Sequence, residues 1–126
     1  MDFESINLNK ISTFKNVKSL KKDANTHIKS MNPIYIDTFK MLVRYSYKFR
    51  GVSYLKVKTI ADELGISIST VKRHLKFLSD NGYITIINTF RRVKGGKGAN
   101  VYVIHTVQMR EAYLSLTDEE KSALRS

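Results

Sequence analysis

The sequence predicts an α+β fold that is mostly helical, with a three-helix core, a two-stranded β-hairpin and further helical segments at both ends. Two patterns carry this prediction. Between residues 33 and 80, apolar residues recur at spacings of three and four, which is the period of an amphipathic helix. Beyond residue 82, the chain changes to β-branched and aromatic runs separated by a glycine-rich segment, which is typical of paired strands.

The composition fits one globular domain outside an oxidising compartment. The chain has 126 residues, of which 42% are hydrophobic, and it contains no cysteine, which excludes disulfides and thiolate metal sites. No apolar run approaches the ~20 residues that a membrane span needs, and the N-terminal residues lack the order of a signal peptide. We therefore expect a cytoplasmic protein with no membrane contact.

The charge is strongly basic and unevenly distributed. Lysine and arginine number 22 against 11 acidic residues, a net charge of +11. No acidic residue occurs between Asp80 and Glu111, although that stretch holds five basic ones. A basic surface binds nucleic acid favourably because binding releases counterions. The charge therefore predicts a polyanionic partner and association with the nucleoid.

Residues 1–31 are predicted to form an N-terminal arm. Apolar residues at helical spacing define one stripe on it: Ile11, Phe14, Val17, Leu20, Ala24, Ile28 and Met31. Asn, Ser and Thr interrupt the pattern, so a flexible arm or two shorter helical pieces are alternatives. A helix here either packs on the domain or contributes a dimer contact.

The central domain, residues 32–106, begins where Asn32 precedes Pro33 at a helix start. This first helix is predicted to reach about Phe49, with Gly51 as its stop. Four tyrosines in and after it, Tyr35, Tyr45, Tyr47 and Tyr54, are numerous enough for base stacking, although aromatics at helical spacing more often serve packing. Residues 52–55 are interpreted as a short extended link.

Residues 57–80 read as two helices joined by a tight turn. The first runs from Val57 to Leu64, Gly65 supplies a left-handed turn, and Ser67 is placed as the N-cap of the second.

Val71, Leu75 and Leu78 form the buried stripe of the second helix. The opposite face carries Ser69, Lys72, Arg73 and Lys76. Hydroxyl and cationic side chains suit base edges and phosphates, although a charged outer face is often simply solvated. The pattern is a helix-turn-helix signal.

Residues 83–90 and 100–106 are predicted strands of a hairpin. Ile84 and Ile86 share one side of the first strand, and Tyr102 and Ile104 share one side of the second. The sequence between them, RRVKGGKGA, is rich in glycine and cations, which favours a flexible loop that reaches a phosphate backbone or a minor groove. The alternative is a solvated loop without a ligand.

Residues 107–126 are predicted to form a C-terminal helical extension. Val107 to Leu116 reads as one helix, and Thr117 with Glu120 forms the capping box of another. The apolar residues of this segment make it a second candidate for self-association.

Nothing in the sequence indicates an enzyme. The chain shows no nucleophile–base pairing, no phosphate-cradling loop before a helix and no clustered carboxylates. His27, His74 and His105 lie on different elements without other ligands at metal spacing, so we interpret them as packing residues. We expect no cofactor and no metal.

The order of helix, link, helix, turn, helix and hairpin resembles the winged helix-turn-helix family over residues 33–106. The residues that carry the resemblance are Thr59-Ile60-Ala61, Leu64-Gly65-Ile66-Ser67, Thr70-Val71, Leu75, Leu78 and Gly82-Tyr83-Ile84, followed by the basic loop. In detail the chain resembles bacterial winged-helix repressors and the small helix-turn-helix and replication-associated proteins of phages and plasmids.

The resemblance implies that the second helix of the motif enters the major groove of DNA and that the wing contacts a minor groove or the backbone. Carried onto this chain, the recognition residues are Ser67, Ile68, Ser69, Thr70, Lys72, Arg73 and Lys76. Lys58 is a further phosphate contact, and the wing residues are Arg91, Arg92, Lys94 and Lys97. Arg73 is the best candidate for reading a base, because a guanidinium grips guanine bidentately.

The leading hypothesis is a sequence-specific binder of double-stranded DNA that regulates transcription, as a homodimer formed through the N-terminal or C-terminal segments. A replication-initiation or partition protein of a plasmid or phage is the runner-up. An adaptor that binds an acidic protein, or an RNA-binding protein, is less favoured, because the cationic helix suits a B-form major groove.

Overall fold

The computed structural model describes residues 11–88 and 99–125 and confirms the mostly helical α+β fold. The helices are α1 (Val17–Ser30), α2 (Ile36–Tyr45), α3 (Val57–Leu64), α4 (Ile68–Asp80), α5 (Val107–Leu114) and α6 (Asp118–Arg125). The strands are β1 (Val52–Leu55), β2 (Ile84–Ile87) and β3 (Asn100–Ile104). The predicted wing residues Arg91, Arg92, Lys94 and Lys97 lie outside the described residues.

Helices α2, α3 and α4 enclose the main apolar core. The predicted stripe of α4 is buried, and Phe39 and Leu42 of α2 and Ile60 of α3 pack against it with no exposed surface. The turn between α3 and α4 follows the prediction, because Gly65 has a φ of +67° and the hydroxyl of Ser67 accepts the N–H of Thr70 at 3.1 Å.

Helix α2 is shorter than predicted. It follows a 3₁₀ turn (Pro33–Tyr35), whose N-cap Asn32 accepts the N–H of Ile34 at 3.1 Å, and it ends at Tyr45 rather than near Phe49. The hydroxyl of Ser46 donates to the carbonyl of Val43 at 2.6 Å. The N–H of Ser46 also donates to the carbonyl of Val43, at 3.0 Å, so the backbone leaves the α-helical pattern at this residue in a tighter turn.

The sheet has three strands, because the predicted link at residues 52–55 is the strand β1. The strands are antiparallel in the order β1-β3-β2. Ile84 pairs with Ile104 and Ile86 pairs with Tyr102, so the predicted face of the hairpin does lie on the helical core. The other face of β3, with Val101, forms a smaller apolar cluster beside β1.

Helix α1 packs on the domain and belongs to its core. Leu20 and Ala24 are buried in the same cluster as α2 and the sheet. The segment before α1 crosses the end of β3, where the hydroxyl of Thr13 donates to the carbonyl of Ile104 at 2.7 Å. The apolar stripe of this segment is therefore largely used within its own chain.

Helix α5 holds the C-terminal end of α4. Nε of Arg110 donates to the carbonyl of Asn81 at 3.0 Å, and the hydroxyl of Tyr113 donates to the carbonyl of Asp80 at 3.1 Å. These bonds satisfy carbonyls that a helix end leaves without intrahelical partners. The start of α5 is held in turn by Asp23 of α1, which accepts the N–H of Val107 at 3.0 Å.

The capping box predicted at the start of α6 is present. The hydroxyl of Thr117 accepts the N–H of Glu120 at 3.2 Å, and the Glu120 carboxylate accepts the N–H of Thr117 at 2.9 Å. The bond from the backbone N–H of Thr117, and after it a bond from the Thr117 side chain, lowers the pKa of the Glu120 carboxyl. Helix α6 is otherwise well exposed, and Leu124 retains 68% of its surface.

Substitution of Gly82 tests how closely α5 packs on the end of α4. Gly82 has a φ of +78°, and a Cβ there would lie 2.6 Å from the ring of Tyr113. Gly65 has a φ of +67° with no atom within 4 Å of its Cβ position. We expect Gly65→Ala to lower the free energy of unfolding by about 1 kcal/mol, the cost of the left-handed conformation. Gly82→Ala should cost about 2–4 kcal/mol, because overpacking adds to that term.

Urea denaturation of both variants measures this difference, since they share the backbone penalty and differ in the clash. Equal losses for Gly65→Ala and Gly82→Ala would contradict the close contact with Tyr113. Removing the ring with Tyr113→Ala should then reduce the additional cost of Gly82→Ala, as coupled neighbours do in a double-mutant cycle.

Candidate nucleic-acid interface

The predicted recognition residues lie on one exposed side of α4. Ser69, Lys72, Arg73 and Lys76 are all exposed, while Val71 and the other stripe residues on the opposite side are buried. Ile68, at the start of the helix, is 44% exposed. The helical period of about 100° per residue produces this separation. The outer face of α4 is thus apolar at its first residue and cationic along the next two turns.

A small network of side chains orders the first turn of α4. The hydroxyls of Ser67 and Thr70 are 2.9 Å apart, and the guanidinium of Arg73 donates to Thr70 Oγ1 at 3.1 Å. Thr70 is half-buried, so its hydroxyl serves the helix start as well as any ligand. A guanidinium has five N–H donors and this bond uses one, so Arg73 is oriented while it keeps donors for a bidentate contact.

A groove of about 910 Å³ runs between α4 and the sheet. Four lysines line it, Lys56, Lys58, Lys72 and Lys76, and we call it the lysine groove. Ile68 forms part of its apolar wall, and Asn88 and Asn100 mark the base of the hairpin. Ser69 and Arg73 lie outside the lining of this groove, on the outward side of the same helix.

Lys56 is a member of the lysine groove that the sequence interpretation missed. It is the exposed residue just before α3, where its backbone acts as the N-cap. The position of Lys56 in the sequence could have indicated this role, because Lys56 and Lys58 flank the first residue of a helix whose start faces α4. Placing Lys56 beside Lys72 nevertheless required the packing of α3 on α4, which the periodicity of either helix leaves undetermined.

Two of these lysines form exposed ion pairs with residues one turn away. Lys58 is 3.2 Å from Asp62, and Lys76 is 2.8 Å from Asp80. Exposed pairs of this kind contribute about 0–1 kcal/mol each, so exchanging a carboxylate for a phosphate costs little. Lys72 has no ion-pair partner among the residues that the structure describes.

His74 lies on the buried side of α4 and holds it against α2. Its Nδ1 is 2.8 Å from the hydroxyl of Thr38, and its ring meets the ring of Tyr35 edge-on with centroids 5.1 Å apart. Burial lowers the pKa of His74, and the neighbouring charge of Arg73 lowers it further. The geometry is that of a packing residue.

His27 and His105 form a second buried pair at the junction of α1, β3 and the α4–β2 turn. Nε2 of His27 donates to the carbonyl of His105 at 2.8 Å, and Nδ1 of His105 donates to the carbonyl of Gly82 at 2.8 Å. Thr85 lies 2.6 Å from the other nitrogen of His105. Burial lowers the pKa of both rings, which fits neutral imidazoles.

In residues 11–88 and 99–125, no group of three His, Asp or Glu side chains is arranged to hold a metal ion. Over the same residues, no helix combines the length and the apolar character that crossing a membrane requires.

Residues 39–84, just over a third of the chain, match the family model of a helix-turn-helix domain. The match runs from Phe39 in α2 to Ile84 in β2, and the rest of the hairpin follows directly. The match, together with the three-stranded sheet, is consistent with a winged helix-turn-helix fold. It supports a DNA-binding role in general, and such domains are typically non-enzymatic. Searches of curated proteins and of solved structures found no match to the chain.

The buried histidines make the winged helix-turn-helix domain sensitive to acid. The pKa of each ring lies below its ordinary value of 6.5 in the folded state. As the pH falls below that value, the unfolded chain takes up protons that the folded chain does not, and the free energy of unfolding falls. We expect a progressive loss of stability between about pH 7 and pH 5 in urea titrations.

A matched variant is His27→Gln, since a glutamine amide can still donate to the carbonyl of His105 but does not titrate. Its stability should depend less steeply on pH than that of the unaltered protein. A stability that stays flat or rises over this range would contradict the assignment of neutral, buried histidines.

Proposed function

We propose that the protein is a sequence-specific, double-stranded DNA-binding protein that regulates transcription in the cytoplasm. The observation that carries this proposal is the outer face of α4, on which Ser69, Lys72, Arg73 and Lys76 are exposed and no described element covers them. A helix of this width fits the major groove, and hydroxyl and cationic side chains match the acceptors on base edges and phosphates.

Base reading is assigned to Arg73 and Ile68. The bond to Thr70 orients the Arg73 guanidinium at the outward face, where a bidentate contact to the O6 and N7 of guanine is available. Ile68 offers an exposed apolar surface for a thymine methyl group. Ser67 and Ser69 lie at the start of α4, where backbone N–H groups favour a phosphate. We therefore assign both serines to phosphate contacts.

The lysine groove and the wing are assigned to the phosphate backbone. The groove brings Lys56 and Lys58 to the same side of the molecule as Lys72 and Lys76, so a strand leaving the major groove meets several cations in succession. In this proposal the wing residues Arg91, Arg92, Lys94 and Lys97 contact the adjacent minor groove or backbone. The wing assignment rests on the family resemblance and on their charge.

Arg73→Ala and Lys76→Ala should weaken DNA binding in different ways. After selection of a preferred duplex, Arg73→Ala should reduce discrimination against a scrambled duplex by about 1–3 kcal/mol. Lys76→Ala should weaken both duplexes similarly and reduce the slope of log affinity against log salt by about one. Fluorescence anisotropy on the two duplexes measures both effects. Affinity that ignores sequence in the unaltered protein would refute specific readout.

A replication-initiation or partition role is the second candidate, motivated by the resemblance to phage and plasmid proteins. Both roles use the same α4 contacts, so the position of the bound sites distinguishes them. Genome-wide mapping should find single or paired sites at promoters for a regulator. Arrays of short repeats beside an origin would instead support the replication role.

We further propose that the protein forms a homodimer through its C-terminal helices. The stripe of α1 is used in the core, whereas Met109, Leu114 and Leu124 retain 39%, 43% and 68% of their surface. Exposed apolar residues on neighbouring helices favour self-association. A dimer would present two α4 helices, and paired half-sites would report its symmetry.

The double substitution Leu114→Glu/Leu124→Glu should convert a dimer into a monomer, because it places charges in an apolar contact. Sedimentation velocity over a range of protein concentrations measures the change. Leu20 of α1 is fully buried, so it is left unaltered to keep the core intact. A protein that is monomeric at every concentration would exclude the dimer. A dimer that survives the substitution would place the contact elsewhere.

A further inference from the structure

The end of α2 and the turn that follows it carry two tyrosines that the fold does not bury. Tyr45 and Tyr47 retain 42% and 37% of their surface. Tyr35 behaves differently, because its ring stacks on Phe77 with centroids 3.8 Å apart. The sequence around the exposed pair, RYSYKFR over residues 44–50, alternates cations with aromatic rings. Packing accounts for Tyr35 but leaves Tyr45 and Tyr47 unexplained.

These rings and their neighbouring cations form one continuous surface. Lys21 of α1 lies over the ring of Tyr47, with its Nζ 5.2 Å from the centroid, and Arg44 lies 5.4 Å from the ring centroid of Tyr45. A groove of about 360 Å³ between α1 and α2 is lined by Lys21, Lys40, Arg44 and Tyr47. Because Arg44 borders both the groove and Tyr45, we group these five residues as the tyrosine strip.

The floor of this groove is apolar. Ala24 and Ile28 of α1 and Val43 of α2 line it beneath the three cations. A purely electrostatic phosphate site would need no such floor. Flat, apolar groups on an anionic chain would use both the floor and the cationic rim.

The tyrosine strip faces away from the recognition helix. Thr38 of α2 contacts His74 of α4. With about 100° between successive helical residues, Lys40 lies about 160° and Arg44 about 120° around α2 from Thr38. The groove between α1 and α2 shares no lining residue with the lysine groove. A duplex bound along α4 therefore leaves the tyrosine strip open.

The strip is partly ordered before any ligand binds. The hydroxyl of Tyr45 donates to the carboxylate of Glu63, and Arg44 lies 3.3 Å from the same carboxylate. A ring fixed in this way loses less conformational entropy on binding than a freely rotating one. Glu63 of α3 is not part of the groove lining, in which the charged residues Lys21, Lys40 and Arg44 are all cationic.

We propose that the tyrosine strip binds single-stranded nucleic acid, with bases stacked on Tyr47 and Tyr45 and phosphates at Lys21, Lys40 and Arg44. Surfaces that bind single strands combine a cationic groove with exposed aromatic rings. Paired bases are stacked inside a duplex and cannot reach such rings. The ligand is therefore unpaired, and DNA and RNA share the chemistry that the strip recognises.

This activity goes beyond the proposed function, because it uses a different face of the molecule. One chain holds a duplex on α4 and a single strand on the tyrosine strip, which suits DNA that is locally opened beside a bound site. The two activities fail independently, so variants of each surface separate them.

The test measures binding of fluorescein-labelled oligo(dT) of about 12 nucleotides, within the usual site size for single-strand modules, by anisotropy. Tyr47→Leu should weaken binding about tenfold, the usual order for loss of one stacked base, while Tyr47→Phe keeps the ring and should bind as the unaltered protein does. Affinity for the selected duplex should stay the same in both variants.

Arg73→Ala is the reciprocal control, since it should impair duplex discrimination and leave oligo(dT) affinity unchanged. A parallel titration with oligo(rU) shows which nucleic acid is preferred, and binding of either supports the proposal. Equal oligo(dT) affinity for Tyr47→Leu and Tyr47→Phe would overturn it. Binding of an acidic peptide but of neither oligonucleotide would also overturn it, and would assign the strip to a protein.

Discussion

The placement of β3 between β1 and β2 is the constraint on which the rest of the structure depends. Both edges of β3 are hydrogen-bonded, and both of its faces are buried, Tyr102 toward the helices and Val101 toward the smaller cluster. The end of β3 is also hydrogen-bonded to residues outside the sheet. The N–H of Ile104 donates to the carbonyl of Gly51 at 2.7 Å, and the hydroxyl of Thr13 donates to the carbonyl of Ile104. A strand held on four sides fixes the hairpin relative to α4.

The sheet fixes the direction of α4 at the C-terminal end of that helix. The turn at Gly82 leads α4 into β2, and α5 fills the space over that glycine with the ring of Tyr113. Arg110 adds its guanidinium over the Tyr83 ring, 4.0 Å from the centroid. Because Asp23 of α1 holds the start of α5, the N-terminal and C-terminal segments together support the helix that we assign to DNA. They are parts of the same packing unit as the winged helix.

Local sequence patterns predicted the elements whose causes are local. The Gly65 turn, the Ser67 cap, the Thr117–Glu120 box and the face shared by Ile84 and Ile86 depend on a few neighbouring residues, and the structure has them. Features set by distant contacts were missed or misplaced. The strand β1 forms because β3 offers it an edge, and Lys56 joins the lysine groove because α3 packs on α4. The end of α2 at Tyr45 was misplaced for a local reason instead, because the Ser46 N–H bonds the carbonyl of Val43, three residues back.

The tyrosines show why exposure had to come from the structure. Tyr35 and Tyr45 both fall on the predicted first helix, and periodicity treats them alike. Tyr35 stacks on Phe77 of α4, whereas Tyr45 lies at the last residue of α2 beside Glu63 and Arg44. Tyr47 lies two residues beyond the end of α2 and meets Lys21 of α1. Tyr47 lines one groove with Lys40 and Arg44, so the aromatic and cationic surface lies on the side of α2 that α4 does not use.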